Sequence, residues 1–525
     1  MIRLIFLALA LTVQAGVAEA RWREASTRHF LIYSEGSEAE LRQAAEQIER
    51  YDSMLRVATG VSDPDRSPAT RVTIFYVRDA TKVRELAGAR DSGIWGFYLP
   101  HASGGIIFSP RIDYRSGRRD SVNRFHNSPG ADETFTAQSV LLHEYTHHFM
   151  FNNFNFGAPR WLSEGYPEFF STARFEEDGS MTIGIPPAER GREIETGSDI
   201  NAEQILLRPQ DNWRVDGIYA IGWLMSHYLT LHPDRMGREL LAYYRALSSG
   251  QSPEQAASVF GDLGRLTSDL REYRRARTFN VARIPAERLS TGTISIRELS
   301  DAEESIMDVR MRSKRGVSRD QAESLVREAR RAAEPYPNDP FVQVSLAEAE
   351  YDARNYDAAE AAADRAIAAD ATLVDAHLYK ARAIWARLKA AEDKNPESWT
   401  EVRRIIARAN RLDPGDPEPL MLYYQSYEPS GAEPTENAVN ALIQAHELAP
   451  QADGLRILAT RELLRRNEAR RAALAWGPLA SSGHGGRNRD EFEAVTALIR
   501  AGDTAAALTR LDALRAEAEQ DAEDE

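Results

Sequence analysis

The feature that most restricts the fold lies in the carboxy-terminal half, where Ala-, Arg- and Glu-rich helical patterns recur at a near-constant interval. Four segments superpose: EARRAAEPYP ending at Pro337, ADRAIAADAT ending at Thr372, ARANRLDPGD ending at Asp416, and IQAHELAPQA ending at Ala452. With Ala329, Ala366, Ala409 and Ala445 as equivalent marks, the spacings are 37, 43 and 36 residues. A period of that size is one helix–turn–helix unit, which cannot bury its apolar face alone and must stack on its neighbours. Residues 319–518 therefore read as an all-α solenoid, followed at 519–525 by a solvated acidic tail.

One unit, PFVQVSLAEAEYDARNYDAAEAAADRAIAADA, resembles a tetratricopeptide repeat, with Leu346 and Ala347 on its first helix and Ala359 and Ala366 on its second. The resemblance implies a surface able to hold a protein partner, or else a spacer.

Before about residue 285 the pattern is mixed. His29–Ser34 (HFLIYS) and Arg71–Val77 (RVTIFYV) read as strands, Glu38–Thr59 as an amphipathic helix, and GIWGFYLPHASGGIIFSP as strands broken by Gly and Pro. From Thr134 to about Leu247 helical patterns dominate. The expectation is an α+β domain over 21–285 and a connecting segment over 286–318.

Residues 1–20 combine Arg3, an apolar run from Leu4 to Val13 and an Ala18-Glu19-Ala20 exit, the pattern of a secretory signal peptide cleaved before Arg21. The run is too short to cross a bilayer, so no membrane span is expected after cleavage, and the expected location is secreted, in a bacterial periplasm. With no cysteine, disulfides and thiolate ligands are excluded, and any metal must be held by His and carboxylate. Asp and Glu outnumber Lys and Arg by 80 to 65, without a long basic run, which excludes a general nucleic-acid binder.

The chemistry is concentrated in SVLLHEYTHHFM, Ser139–Met150. His143 and His147 are four residues apart, so on a helix both imidazoles project from one face and can reach one ion. Glu144 borders the same side, where a carboxylate can take a proton from a hydrolytic water without acting as a ligand. Thr134 or Thr136 is a candidate N-cap for this helix. A catalytic zinc takes three protein ligands, and Glu164 in PRWLSEGYPEFF is the best candidate for the third. It sits in an apolar stripe with Trp161, Leu162 and Phe169, where an unpaired carboxylate is costly.

HEYTH followed by WLSEGYPEFF resembles the gluzincin metallopeptidases, in particular their peptidase MA-like branch, in which an HExxH helix precedes a WLxEG helix. The resemblance covers Arg21 to about Pro285 in outline, with its specific motifs between His143 and Tyr228. It implies a zincin-like metallopeptidase fold, one zinc ion on His143, His147 and Glu164, and Glu144 as general base. The sixteen residues between His147 and Glu164 are fewer than in thermolysin or the aminopeptidases, a departure confined to the connecting loop. Glu168 matches the position of a carboxylate that orients a zinc-bound histidine, although Pro167 just before it can kink the helix. His148 points about 100° away from His147 and reads as structural.

Gluzincins commonly supply a Tyr or His from the region matched by GIYAIGWLMSHYLTLH to steady the oxyanion. Tyr219 is the candidate the resemblance implies, with His227 and Tyr228 in reserve; the other reading is a core tyrosine with its hydroxyl satisfied. GGIIFSP (Gly104–Pro110) reads either as an ordinary strand or as the edge strand that pairs with an extended substrate.

The function expected is that of a secreted zinc peptidase acting on a peptide or protein substrate. Two rivals stay open: a repeat-array scaffold protein whose zincin-like domain is inactive, and a zinc hydrolase of non-peptide amides. The intact Glu144 argues against the first.

Overall fold

The computed structural model describes residues 21–88, 94–111, 133–187, 191–197, 199–208, 217–276, 278–480 and 489–524. The expected signal peptide lies outside the described residues. No helix among those described is long and apolar enough to cross a membrane.

The amino-terminal part is built on β1 (Arg23–Ser26), β2 (Phe30–Ser34), β3 (Val72–Val77), β4 (Phe97–Leu99), β5 (Ile106–Pro110) and a late sixth strand, β9 (Ser295–Glu298). Their order is β4-β5-β3-β2-β1-β9. β2, β3 and β5 run parallel, while β1, β4 and β9 pair antiparallel with their neighbours. Parallel strands need long crossovers, supplied by α1 (Glu38–Thr59) and α2 (Ala80–Leu86). Alternation splits the strands between two cores. Phe30, Ile32, Val72, Ile74 and Tyr76 pack with α1 on one face, and Tyr33, Phe75, Val77 and Phe108 pack with α2 on the other. α1 has the bounds read from sequence because both ends are locally encoded: Ser37 and Glu40 form a capping box, and Gly60 ends the helix at φ 71°.

GGIIFSP is not an edge strand. β5 lies between β3 and β4, and the short β4 forms the free edge.

Two helices cross the face that carries α1: α3 (Glu133–Asn153), and α4 (Arg160–Ser171) after a six-residue connection, Phe154–Pro159. Thr134 and Thr136 lie within α3 and do not cap it. Pro167 stands inside α4, which nonetheless continues to Ser171. β6 (Arg174–Phe175), β7 (Met181–Ile183) and β8 (Ala282–Ile284) form a second, small antiparallel sheet. Between β7 and β8 run α5 (Gly191–Thr196), α6 (Ala202–Leu207), α7 (Ile218–Leu231), α8 (Arg238–Ser248), α9 (Pro253–Ala256) and α10 (Leu263–Tyr273).

α7 is held against α4 at a glycine pair. A Cβ on Gly165 would stand 2.3 Å from the Gly222 carbonyl carbon, and one on Gly222 would stand 2.6 Å from the Trp161 carbonyl oxygen. No side chain fits there, so the two backbones touch between the buried Trp161 and Trp223.

The rest of the chain is a helical solenoid of paired helices: α11 (Asp301–Arg315) with α12 (Arg319–Ala333), α13 (Pro340–Asp352) with α14 (Tyr356–Ala369), and α15 (Val374–Ala390) with α16 (Pro396–Leu412). α17 (Pro417–Gln425) with α18 (Glu436–Leu448), α19 (Asp453–Arg465) with α20 (Ala469–Ala480), and α21 (Arg489–Arg500) with α22 (Thr504–Asp524) complete it. Ala347, Ala359, Ala363, Ala366 and Ala376 are wholly buried, which lets the helices approach closely. The acidic tail is no separate end: its backbone continues α22 to Asp524.

Residues 286–318 do not form a mere connector. They contribute β9 to the sheet, and α11 covers the sheet face opposite α1 with Met307 and Met311. Alternate helices of the solenoid turn toward the sheet. Lys314, Glu348, Arg382 and Glu418 of α11, α13, α15 and α17 all act electrostatically on His101 in the β4–β5 loop. Gln451 donates to the His101 carbonyl at 3.0 Å, and Ala102 packs against the cluster containing Leu420.

Gly222→Ala tests the helix crossing. It should destabilise the protein by about 3 kcal/mol, the overpacking cost where neither backbone can yield, seen as a lowered denaturation midpoint. Gly250→Ala, where nothing lies within 4 Å of the added carbon, serves as the exposed comparison for backbone strain alone.

Candidate metal centre

His143 and His147 stand one turn apart on α3 and meet Glu164 of α4. The Nε2 atoms of the two imidazoles are 3.1 Å apart. Glu164 Oε2 lies 3.7 Å from Nε2 of His143 and 3.5 Å from Nε2 of His147. Three donors on a tetrahedral ion with bonds near 2.05 Å are separated by about 3.3 Å, so the observed triangle has the right size. Among the described residues this is the one group of three or more such side chains able to share an ion.

The electrostatics agree with the geometry. Glu164 has 0% exposure, and neither of its carboxylate oxygens has a hydrogen-bond partner among the described residues. Burial pushes its carboxyl up, but the electrostatic pull of the two facing imidazoles outweighs this and holds it well below the usual range. Burial likewise lowers the His143 imidazole, yet Glu164, Glu168 and Glu144 together raise it. A buried carboxylate aimed at two imidazole nitrogens is a cation-binding arrangement, and two nitrogens with one carboxylate suit zinc better than the all-oxygen sites of calcium or magnesium.

Glu144, the residue after His143, is half-buried and makes no hydrogen bond or ion pair with another described residue. Its carboxylate is therefore not committed to the polar groups of the described residues. Glu168, one turn beyond Glu164, is buried and its charge acts on His143, as expected of a group near that imidazole.

Tyr219 opens α7 and is half-buried, its ring 5.6 Å from the Arg160 guanidinium carbon, one turn before Glu164 on α4. The two reserves are otherwise engaged. His227 Nε2 lies 3.0 Å from the carbonyls of Gly184 and Asn280, and Nδ1 accepts from the Tyr273 hydroxyl at 2.9 Å. Burial pushes this imidazole down to about 4, so it stays neutral. The Tyr228 hydroxyl donates to Asp269 at 3.3 Å and is approached by Arg235.

His148, read from sequence as a structural or supporting neighbour, is held by hydrogen bonds at both ring nitrogens, and its partners bring in residues that sequence reading missed. Arg66 donates to Asn152 Oδ1 at 2.7 Å, which leaves the Asn152 amide nitrogen to donate to His148 Nε2 at 3.2 Å. His148 Nδ1–H can then donate to the Tyr98 hydroxyl, 2.9 Å away on the edge strand β4. Tyr98 is packed tightly: a Cβ on Gly105 would fall 2.4 Å from its ring, and Glu144 lies within electrostatic reach of its hydroxyl. The signal available was the short apolar run FYL ahead of a glycine pair, but the pairing that brings β4 against α3 is non-local.

No family model and no curated protein sequence matches the chain. Among solved structures, the crystal structure of a thermophilic TPR protein in Thermus thermophilus matches with a TM-score of 0.30 and 16% identity, over 39% of this chain and 98% of that one.

Two outcomes follow. Because His227 is neutral when folded and titrates near 6.5 when unfolded, its contribution is complete above pH 6.5 and is lost as pH falls toward 4, up to about 3 kcal/mol. Midpoints measured across that window should drop steeply in the native protein and less steeply in His227→Gln. Elemental analysis of protein purified from zinc-containing medium should find about one zinc per chain, and Glu164→Ala should abolish it.

Proposed function

We propose that the chain is a zinc-dependent peptidase of the gluzincin type. The observation that carries this reading is the buried Glu164 carboxylate, without a hydrogen-bond partner among the described residues, closing a zinc-sized triangle with His143 and His147. A zinc ion held by these three side chains would supply the Lewis acidity that polarises a scissile carbonyl and acidifies a water.

The rest is the work of the chain's own residues. Glu144, beside His143 and uncommitted, takes a proton from the attacking water and delivers it to the leaving amine. Glu168 orients the His143 ring and keeps its outer face electronegative. Tyr219, on the helix locked to α4 by the Gly165–Gly222 crossing, is assigned to the developing oxyanion. The same groups could serve a non-peptide amide.

The scaffold reading draws its support from the solenoid itself, which runs from Asp301 to Asp524. Any partner would need a surface other than the one turned toward the β4–β5 loop, where Gln451 and the cluster around Leu420 hold His101 and Ala102.

Glu144→Gln separates the readings. The variant should keep its zinc and its midpoint while hydrolysis of a peptide library falls by about 10³-fold. A native protein that contains zinc yet cleaves neither peptides nor small amides would favour the scaffold.

A further inference from the structure

The seam between the metal-bearing domain and the solenoid holds a cleft of about 410 Å³, large enough for a small ligand. It lies at the carboxy-terminal end of α3. Phe151 and Phe154 line it, and the same two rings line a small apolar pocket that contains His147 and is closed by Pro478 of α20. The cleft therefore shares a wall with the surroundings of a proposed metal ligand.

Its polar lining is unbalanced. Arg66 stands at the exposed rim, and Arg456, only 1% exposed, stands on the solenoid side. Arg456 spends two of its N–H groups on the carbonyls of Phe151 and Ala475, at 2.9 and 3.1 Å, and Arg66 has Asn152 Oδ1 as its hydrogen-bond acceptor. Neither guanidinium has an ion-pair partner among the described residues, although Glu447 lines the same cleft. Arg456 thus rests on neutral carbonyls, and the one opposite charge acting on it is that of Asp453 on its own helix, which forms no ion pair with it. His446, also lining the cleft, leaves Nδ1 buried without a hydrogen-bond partner among the described residues. Asn153 and Asn155 add amide groups, and Asn155 uses its own for no hydrogen bond to a described residue.

We propose that this cleft binds the carboxy-terminal end of a peptide, with its α-carboxylate between Arg66 and Arg456, its amides along Asn153 and Asn155, and its last side chain on Phe151 and Phe154. The anion preference stands on the two arginines alone; the choice of a peptide rests on the peptidase reading. Substrate or product would then lie along the seam with its free carboxylate end fixed, and the solenoid would form one wall of the peptide site. Arginine pairs suit carboxylates because their planar N–H forks match the two oxygens.

The test uses the full chain carrying Glu144→Gln, so that a bound peptide is not consumed. Calorimetric titration compares an acetylated tetrapeptide ending in Phe as the free acid with the same peptide as its amide, and inorganic phosphate is titrated separately. The acid should bind at least tenfold more tightly than the amide, and adding Arg66→Gln, at the exposed rim, should bring the two together. Equal binding of acid and amide, or a preference that survives Arg66→Gln, overturns the proposal. Arg66-dependent binding of phosphate with no preference between the peptides would identify a free-anion site and overturn the peptide assignment. The readout is binding, so a failure of the zinc or hydrolysis measurements on the native protein would sink the peptidase reading without altering this result.

Discussion

The centre of the structure depends on one costly group, the carboxylate of Glu164. Removing a carboxylate from water costs several kcal/mol unless charge or hydrogen bonds replace the water, and here neither oxygen has a hydrogen-bond partner among the described residues. What faces it is a pair of imidazole nitrogens at 3.5 and 3.7 Å. The fold keeps this arrangement because both helices are fixed by contacts that have nothing to do with the carboxylate. α4 is fixed by the backbone crossing at Gly165 and Gly222, which sets its separation from α7. α3 is fixed against α1, where the Tyr51 hydroxyl meets Thr146 Oγ1 at 2.7 Å and Tyr145 donates to Asp52 at 2.7 Å. Asp52 is held in turn by Arg56.

These anchors also set the rotation of α3, and with it the division of labour around the helix. Residues four apart share a face and successive residues are about 100° apart. His143 and His147 thus share the face toward Glu164, while Glu144 and His148 share the next. The second face is covered by Tyr98 from the sheet edge and tied through Asn152 to Arg66. Burial, with the positive charge of Arg66 and Arg56, pushes the His148 imidazole down to about 3, so beside the general-base candidate it stays an uncharged brace. Glu144 sits between the side that faces Glu164 and a rigid polar support, without a hydrogen bond to either among the described residues.

Features encoded by neighbours in sequence were legible. The helix Glu38–Thr59 was readable to the residue because its capping serine and terminal glycine immediately flank it in sequence. HEYTH was readable because the four-residue spacing is a property of any helix. The approach of Glu164 was inferred from the cost of a carboxylate in an apolar stripe, and the structure brings it within ion-pair distance of both histidines. Non-local pairing was not legible. β4 has only three residues, too few for alternation to distinguish it from a loop, so its neighbour β5 was considered for the edge. β9 lies some 270 residues after the strand it pairs with, and nothing in SIRE announces β1 as its partner. Tyr98 was invisible for the same reason, since its partner on α3 is fifty residues away.

The late return of β9 changes what the solenoid is. A repeat array joined by a flexible connector is a separate module, free to offer its surfaces to partners. Here the first array helix completes the apolar cover of the sheet, and the loop beside the sheet edge is gripped by alternate array helices. Further along, Arg456 accepts burial in order to donate to the Phe151 carbonyl in the last turn of α3, where unsatisfied carbonyls and the helix dipole both favour a cation. That contact is one turn beyond His147. Opening the seam would expose the face beneath Met307 and Met311, strip α3 of its terminal cation and release the β4–β5 loop, disturbing both faces of the helix that carries His143 and His147 together. In such a chain the repeats are packed into the same structure as the His143–His147–Glu164 group rather than appended to it.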